Sequence, residues 1–316
     1  MAINYYRWDD PSAPSLSGES GKLIDLLDAC LINGYGSKTG AGWTKVYYDA
    51  PNHTAVYRHS TDDCFIRIDD NQTDHGLNQA VANVRCYKTM SDVDNGTVKT
   101  PSDSQISTVY SFIRKSNSAN TTTEPWILVE NNGLIYFNTN YNSNTNSAIH
   151  TIGKVRYFNP SDTYPYGLGA CYTGHTTYRE RGYNTWMSAS DGYSYFYTLT
   201  QYDGADNGRL KPMLESAFSG TTFIGNSNQG LATVNPITGS HKLLPVILYE
   251  VHSADSTRFR RGSLPGAYYP DALKVYSESA FGIELVDSNN DRYVHMISNN
   301  YGGGYLFIKL TGTWEF

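Results

Sequence analysis

The chain has 316 residues, of which 17% are charged and 14% aromatic, and its formal net charge is −6. That length is enough to bury a sizeable core as one large or two medium domains, with no metal or disulfide needed to hold it together. The acidic balance argues against a nucleic-acid backbone as partner, because phosphate contacts need clustered Lys and Arg. Disorder by charge repulsion is also excluded, since the polarity comes from Asn, Ser, Thr, Gly and Tyr. The 27 Tyr against 11 Phe point to strands with one buried and one wet face.

Cys30, Cys64, Cys86 and Cys171 form no C-x-x-C pair and have no His at ligand spacing, so the expectation is buried thiols and no metal. The opening MAINYYRWDD shows no basic or apolar targeting stretch, and no window reaches the roughly 18 apolar residues of a membrane span. Folding is therefore expected in a reducing cytosol, with no membrane partner and with the sequons at Asn52, Asn71, Asn95 and Asn120 unmodified.

In chain order, Pro11 and Pro14 predict an extended arm over residues 1–19. A helix is predicted at about 20–32, where Leu23, Ile24, Leu26, Leu27, Cys30 and Leu31 form one stripe. Ser20 or Ser17 is the expected cap at its start, and Asn33-Gly34 the stop. From Thr44 the apolar period falls to two, with strands expected at 44–48, 54–58, 64–69, 80–88 and 107–114. WILVENNGLIYFN at 126–138 is a hairpin about Asn-Asn-Gly.

Residues 138–151 and 173–192 read as polar loops, 192–199 as a Tyr-dense strand, and 210–218 as a short helix entered through Pro212. The apolar run 242–252 predicts a strand buried on both faces that begins after Pro245, and strands follow at 282–287, 292–297 and 304–316. The fold class is α+β, predominantly antiparallel β, with one clear N-terminal helix and an extended N-terminal arm. Three regions follow: the arm at 1–19, a helix plus antiparallel sheet at 20–150, and a mostly β part at 151–316 that a faint boundary divides from the second.

Tests for chemistry return little. SGESGKL at 17–23 and GYGSKTGAG at 34–42 lack the glycine spacing and the Ser or Thr after Lys of a phosphate loop. DSNND at 287–291 places acids like a calcium loop but has Arg292 where Gly belongs and Ser298 where Glu belongs, so a hairpin turn is expected. DDNQTDHG at 69–76 reads as turn chemistry. There is no G-x-S-x-G and no H-E-x-x-H. Carboxylate pairs such as Asp25 with Asp28 or Asp92 with Asp94 are better read as solvated acids than as a glycosidase pair, and the aromatics at 193–197 as sheet surface before sugar platforms. The only dense basic cluster, Arg258, Arg260 and Arg261, is either a loop paired with nearby acids or a docking patch.

Several islands carry a resemblance: 12–45 (SAPSLSGESGKLIDLLDACLINGYGSKTGAGWTK), FIRIDD at 65–70, YKTMSDVDNG at 87–96, EPWILVENNGLIYF at 124–137, RGSLPGAYYP at 261–270 and KLTGTW at 309–314. On these residues the chain resembles a widespread family of virion structural proteins of tailed bacteriophages. The resemblance implies a non-enzymatic component of the mature particle, in tail, neck or baseplate, with head decoration as a variant, and it brings no catalytic residue and no cofactor. The implied partners are other virion proteins and copies of the chain itself, made in the host cytoplasm. A receptor- or glycan-binding tail protein that meets a host surface glycan is the second reading, and a polysaccharide-degrading enzyme the third. Candidate interface residues are Trp8, Asp9 and Asp10 on the arm, with Trp43, Arg258, Arg260, Arg261 and Trp314.

Overall fold

The computed structural model describes residues 2–71, 80–103, 111–116, 121–142, 146–169, 171–172, 196–216, 220–223, 243–251, 258–270, 281–297 and 305–316. The first elements are β1 (Asn4–Arg7), helix α1 (Lys22–Leu27) continued by a π-wound turn at Asp28–Asn33, β2 (Trp43–Asp49), β3 (Thr54–His59), β4 (Phe65–Asp69), β5 (Ala80–Met90), β6 (Gly96–Thr100) and β7 (Ser111–Ser116). Then come β8 (Trp126–Asn131), β9 (Leu134–Asn142), β10 (Asn146–Lys154), β11 (Arg156–Tyr157), β12 (Tyr166–Gly169), β13 (Cys171–Tyr172) and β14 (Phe196–Thr200). The chain continues with β15 (Asp206–Ser216), β16 (Gly220–Phe223), β17 (Leu243–Val251), β18 (Arg258–Pro270), β19 (Glu284–Val286), β20 (Arg292–Ile297) and β21 (Tyr305–Lys309).

These strands form two antiparallel sheets, so the predicted class is the observed one. The smaller runs β13-β7-β5-β4-β3-β2 with β6 on β5, and the larger runs β1-β8-β9-β10-β12-β14-β15-β17-β18-β21-β20-β19, with β11 on β18 and β16 on β15. Strand β8 shows how one strand serves two cores. Trp126 and Leu128 face the small sheet and α1, while Ile127 and Val129 face the opposite way into a second apolar cluster with Leu248, Val294 and Ile308. The large sheet folds over on itself around that second cluster. Its first and last strands meet through Arg7 Nη1 and Glu284 Oε1 at 3.2 Å and through the Trp8 and Phe281 rings at 5.4 Å. Across the fold, Tyr136 Oη donates to Pro265 O at 2.8 Å.

Helix α1 lies between the sheets, and its predicted stripe is the buried one: Leu23, Ile24, Leu26, Leu27, Cys30 and Leu31 all join the first cluster. It ends at the predicted Asn33-Gly34, where Gly34 has φ 78°. Its start corrects the expectation. Neither Ser17 nor Ser20 caps it; Gly21 stands at the cap position, and the Asp70 carboxylate accepts from Leu23 N at 2.7 Å and Ile24 N at 3.3 Å. A local cap requires the chain before the helix to turn back on it, whereas here residue 70 arrives from the end of β4.

The arm is extended and lies on its own fold: residues 4–7 pair with β8, Leu16 is fully buried, and Leu16 bridges to Glu124. Three further expectations are corrected. The loop at 138–151 is the paired β9 and β10, with Asn138, Thr139 and His150 fully buried. Asn138 explains this, because its Nδ2 donates to Ala148 O and Ile297 O at 2.9 Å and its Oδ1 accepts from Ile297 N at 3.1 Å. The helix at 210–218 is β15 as far as Ser216, and Pro212 fits there because β14 pairs only as far as Leu210 and pairing with β16 starts at Met213, leaving one side of Pro212 without a ladder. Strand β17 begins before Pro245, and the ladder shifts register between Pro245 and Ile247. The predicted loop at 173–192, the first part of the strand at 192–199 and most of 69–76 lie outside the described residues.

Candidate functional site

Among the described residues, a cluster of ionisable groups lies under the turn of the β8–β9 hairpin. Asn132 and Gly133 have φ of 48° and 86°, the left-handed pair that a primed turn needs. That turn folds Gly133 N back onto Glu130 Oε1 at 3.0 Å. Trp43 Nε1, from β2, donates to the same oxygen at 3.2 Å, and Asn4 Nδ2, from β1, donates to Oε2 at 2.7 Å. Glu130 thus ties three segments of chain while fully buried. Burial raises its pKa, and its three donors oppose that rise.

His59 stands beside it, with Nε2 3.9 Å from Glu130 Oε1 and Nδ1 3.8 Å from Asp62 Oδ2. Its Nδ1 is 2.8 Å from Thr61 Oγ1, and the Trp43 ring meets the imidazole edge-on at 5.4 Å. Burial lowers the His59 pKa while Asp62 pulls it up. Asp62 is held in turn by Lys154 Nζ at 3.1 Å, and Lys154 N donates to Gly133 O at 3.0 Å. Cys64, two residues on, is pushed up to about 12 by burial, so it stays a thiol and not a nucleophile. The cluster fixes the hairpin against β1 and β2, while the buried Asp62 Oδ2 accepts no hydrogen bond.

Gly133 is the sensitive point. A Cβ there would press on Asp62 Oδ2, and the φ of 86° disfavours any side chain. Gly133→Ala is expected to cost about 2 kcal/mol of unfolding free energy from backbone strain alone, measured by urea denaturation. A loss below about 0.5 kcal/mol would show that the turn relaxes freely.

A second buried pair stands at the start of α1. Lys115 Nζ lies 2.5 Å from Asp70 Oδ1, both side chains are fully buried, and the ammonium also donates to Glu19 O at 2.7 Å. The pKa of Asp70 is raised by burial and drawn back by Lys115 and by the two helix N–H groups.

The predicted site residues do not converge. Trp43 is spent on Glu130, and Trp314 is buried with Nε1 donating to Lys309 O at 3.0 Å and its ring 5.5 Å from Tyr136. Arg261 is 3% exposed, bonding Glu250 Oε2 at 2.8 Å, Asp162 Oδ2 at 3.3 Å and Thr200 O at 2.5 Å under the Tyr157 ring. These three are internal fixtures, which corrects their reading as interface residues. Trp8 is half-buried against Phe281, with the Arg7 guanidinium 5.0 Å from its ring. Asp9 is exposed and paired with Arg7 at 2.7 Å, while Asp10 accepts from Arg7 N and Tyr35 Oη, each at 2.9 Å. Arg258 opens β18 opposite Val251, and Arg260 is exposed, donating to Tyr249 Oη at 3.1 Å.

The nominated carboxylate pairs are structural. Asp28 bonds Lys45 and Tyr57, Asp25 meets Lys22 at 3.4 Å, and Asp92 accepts the N–H groups of Asp94 and Asn95 at 2.8 Å. Asp287 closes the expected turn by accepting from Asn289 N at 2.8 Å and Asp291 N at 2.9 Å. Sequence reasoning missed Glu130, His59, Asp62 and Lys154. Only Glu130 left a trace, as the acid three residues before the turn glycine. Compared with known proteins, the chain matches no family model and no curated protein.

Proposed function

We propose that this chain is a non-enzymatic structural component of a tailed-bacteriophage particle, placed in the tail, neck or baseplate and assembled through protein–protein contacts. The observation that carries the reading is where the resembling residues lie. The most specific island, 12–45, is one fixed unit between the sheets: Leu16 bridges Glu124, Asp70 caps α1, Trp43 bonds Glu130, and Lys38 Nζ donates to Tyr5 O at 2.8 Å. Its resemblance therefore concerns residues that hold a shape. The half-exposed first turn, with Trp8, Asp9 and Asp10, and the exposed Arg260 are the remaining docking candidates. Mass spectrometry of purified particles from a phage encoding this chain should find its peptides at a fixed ratio to the other virion proteins. Their absence from intact particles would sink the proposal.

A further inference from the structure

We infer that Lys115 and Asp70 are reaction partners, which the folded chain joins by an isopeptide bond between Nζ and Cγ. Lys115 Nζ lies 2.5 Å from Asp70 Oδ1, and both side chains are fully buried. Oδ1 nevertheless accepts no aligned hydrogen bond. Amine and carboxyl group are thus held in contact, outside the geometry of a charge-assisted hydrogen bond. The sheet arranges the meeting. Asp70 follows directly on β4, Lys115 is on β7, and β5 lies between the two strands. Where Lys115 crosses β5, that strand carries the short side chains of Ala80 and Ala82.

The two oxygens of Asp70 have different surroundings. Oδ2 accepts from Leu23 N at 2.7 Å and from Ile24 N at 3.3 Å. These backbone N–H groups already point at the oxygen on which negative charge develops when an amine adds to Cγ. Oδ1 accepts no such bond, and it is the oxygen placed to leave. On the other side, Lys115 Nζ donates to Glu19 O at 2.7 Å, which fixes the position of the nitrogen.

Burial supplies the reactive protonation states. Two charges are costly in an interior without water, and passing one proton from the ammonium to Oδ1 removes both. Burial is also the foremost influence on Asp70 and raises its pKa, which favours the neutral acid. A desolvated, neutral lysine amine is a nucleophile. Nζ attacks Cγ, the C=O π pair moves onto Oδ2, and a proton passes from Nζ to Oδ1. The intermediate collapses with cleavage of Cγ–Oδ1, so that an amide forms and one water is released. No oxidant, metal or second substrate enters the balance. Two groups fixed in contact react as though at very high concentration, so proximity and the Oδ2 donors supply the acceleration.

The inference does not rest on the particle role. Until the bond closes, the two groups are an ion pair, and Lys115→Met loses stability in either state. Mass, and not stability, therefore distinguishes them. The purified full chain is weighed under denaturing conditions beside Lys115→Met and Asp70→Ala. The wild type is expected to weigh one water less than its sequence requires, and both variants to have their full sequence masses. Digestion of the wild type with trypsin is expected to release one branched peptide that joins the segments containing Asp70 and Lys115. A wild-type chain of full mass overturns the bond. So does a loss of one water that persists in Lys115→Met or maps to any other residue.

Discussion

Replacing Lys115 with Met is expected to lower the unfolding free energy by about 3–5 kcal/mol, the range for removing one partner of a buried ion pair. The size follows from burial. Lys115 and Asp70 are both fully excluded from water, so the lost ammonium leaves a carboxylate with no counter-charge. Asp70→Ala is expected to cost at least as much, because it strands the ammonium and also removes the cap from Leu23 N and Ile24 N. A lost cap contributes about 1 kcal/mol. In Lys115→Met the remaining acid can take up a proton, since burial already raises the Asp70 pKa. The sign follows: a raised folded-state pKa gives stability below that pKa that is lost as pH rises through it. The Lys115→Met deficit is therefore expected to shrink on acidification. Combining Asp70→Ala with Lys115→Met is expected to cost less than the sum of the two single changes by more than about 2 kcal/mol, because the two groups act as a unit. Denaturant titrations of the four proteins measure this. Additive losses below about 1 kcal/mol each would place the pair with exposed ion pairs and undo the argument.

What could be read in advance depended on how far apart the interacting residues are. The β8–β9 hairpin and the α1 stripe were legible because their causes are local: two positive-φ residues at Asn132-Gly133, and apolar side chains at helical spacing from Leu23 to Leu31. The cap of α1 was not, because Asp70 is 47 residues from Leu23. The polar run at 138–151 misled for a chemical reason. Asn and Thr imply exposure only while their amides and hydroxyls have water as the nearest partner, and Asn138 finds carbonyls of β10 and β20 instead. Arg261 does pair with acids, as one of its two readings expected, but on a buried strand instead of a loop, where Glu250, Asp162 and Thr200 close around it. The prolines at 11 and 14 announced an extended path from β1 to Leu16, but the burial of Leu16 that ties that path down depends on distant partners. Of the polar cluster, the Glu130-to-Gly133 contact was local and readable, while His59, Asp62 and Lys154 meet it only through sheet pairing.

The same burial sets an acid limit. His150 is fully buried between layers, both ring nitrogens lack a hydrogen-bond partner, and the Arg114 cation lies near it. Burial first, and Arg114 second, lower its pKa from 6.5 to about 3. His295 is 1% exposed, stacked on Phe307 at 4.8 Å, and burial lowers its pKa to about 4. For a base with a depressed folded-state pKa, the unfolded chain takes the proton first. The stability is therefore whole above pH 6.5 and is lost as pH falls from there toward 4 and 3. Each unit below 6.5 costs about 1.4 kcal/mol per histidine, so the two together remove about 5 kcal/mol by about pH 4.5. Glu130, Glu250 and Asp70 act oppositely, because burial raises their pKa values and the folded chain then gains stability as they protonate. The histidine contribution is isolated by comparing slopes. Between pH 6 and pH 4.5, His150→Leu is expected to show a stability curve flatter than the wild type by about 1.4 kcal/mol per pH unit, whatever its stability at neutral pH. Parallel curves for the two proteins over that range would mean that His150 takes its proton within the folded structure, and that the space between the layers admits water or a counter-ion.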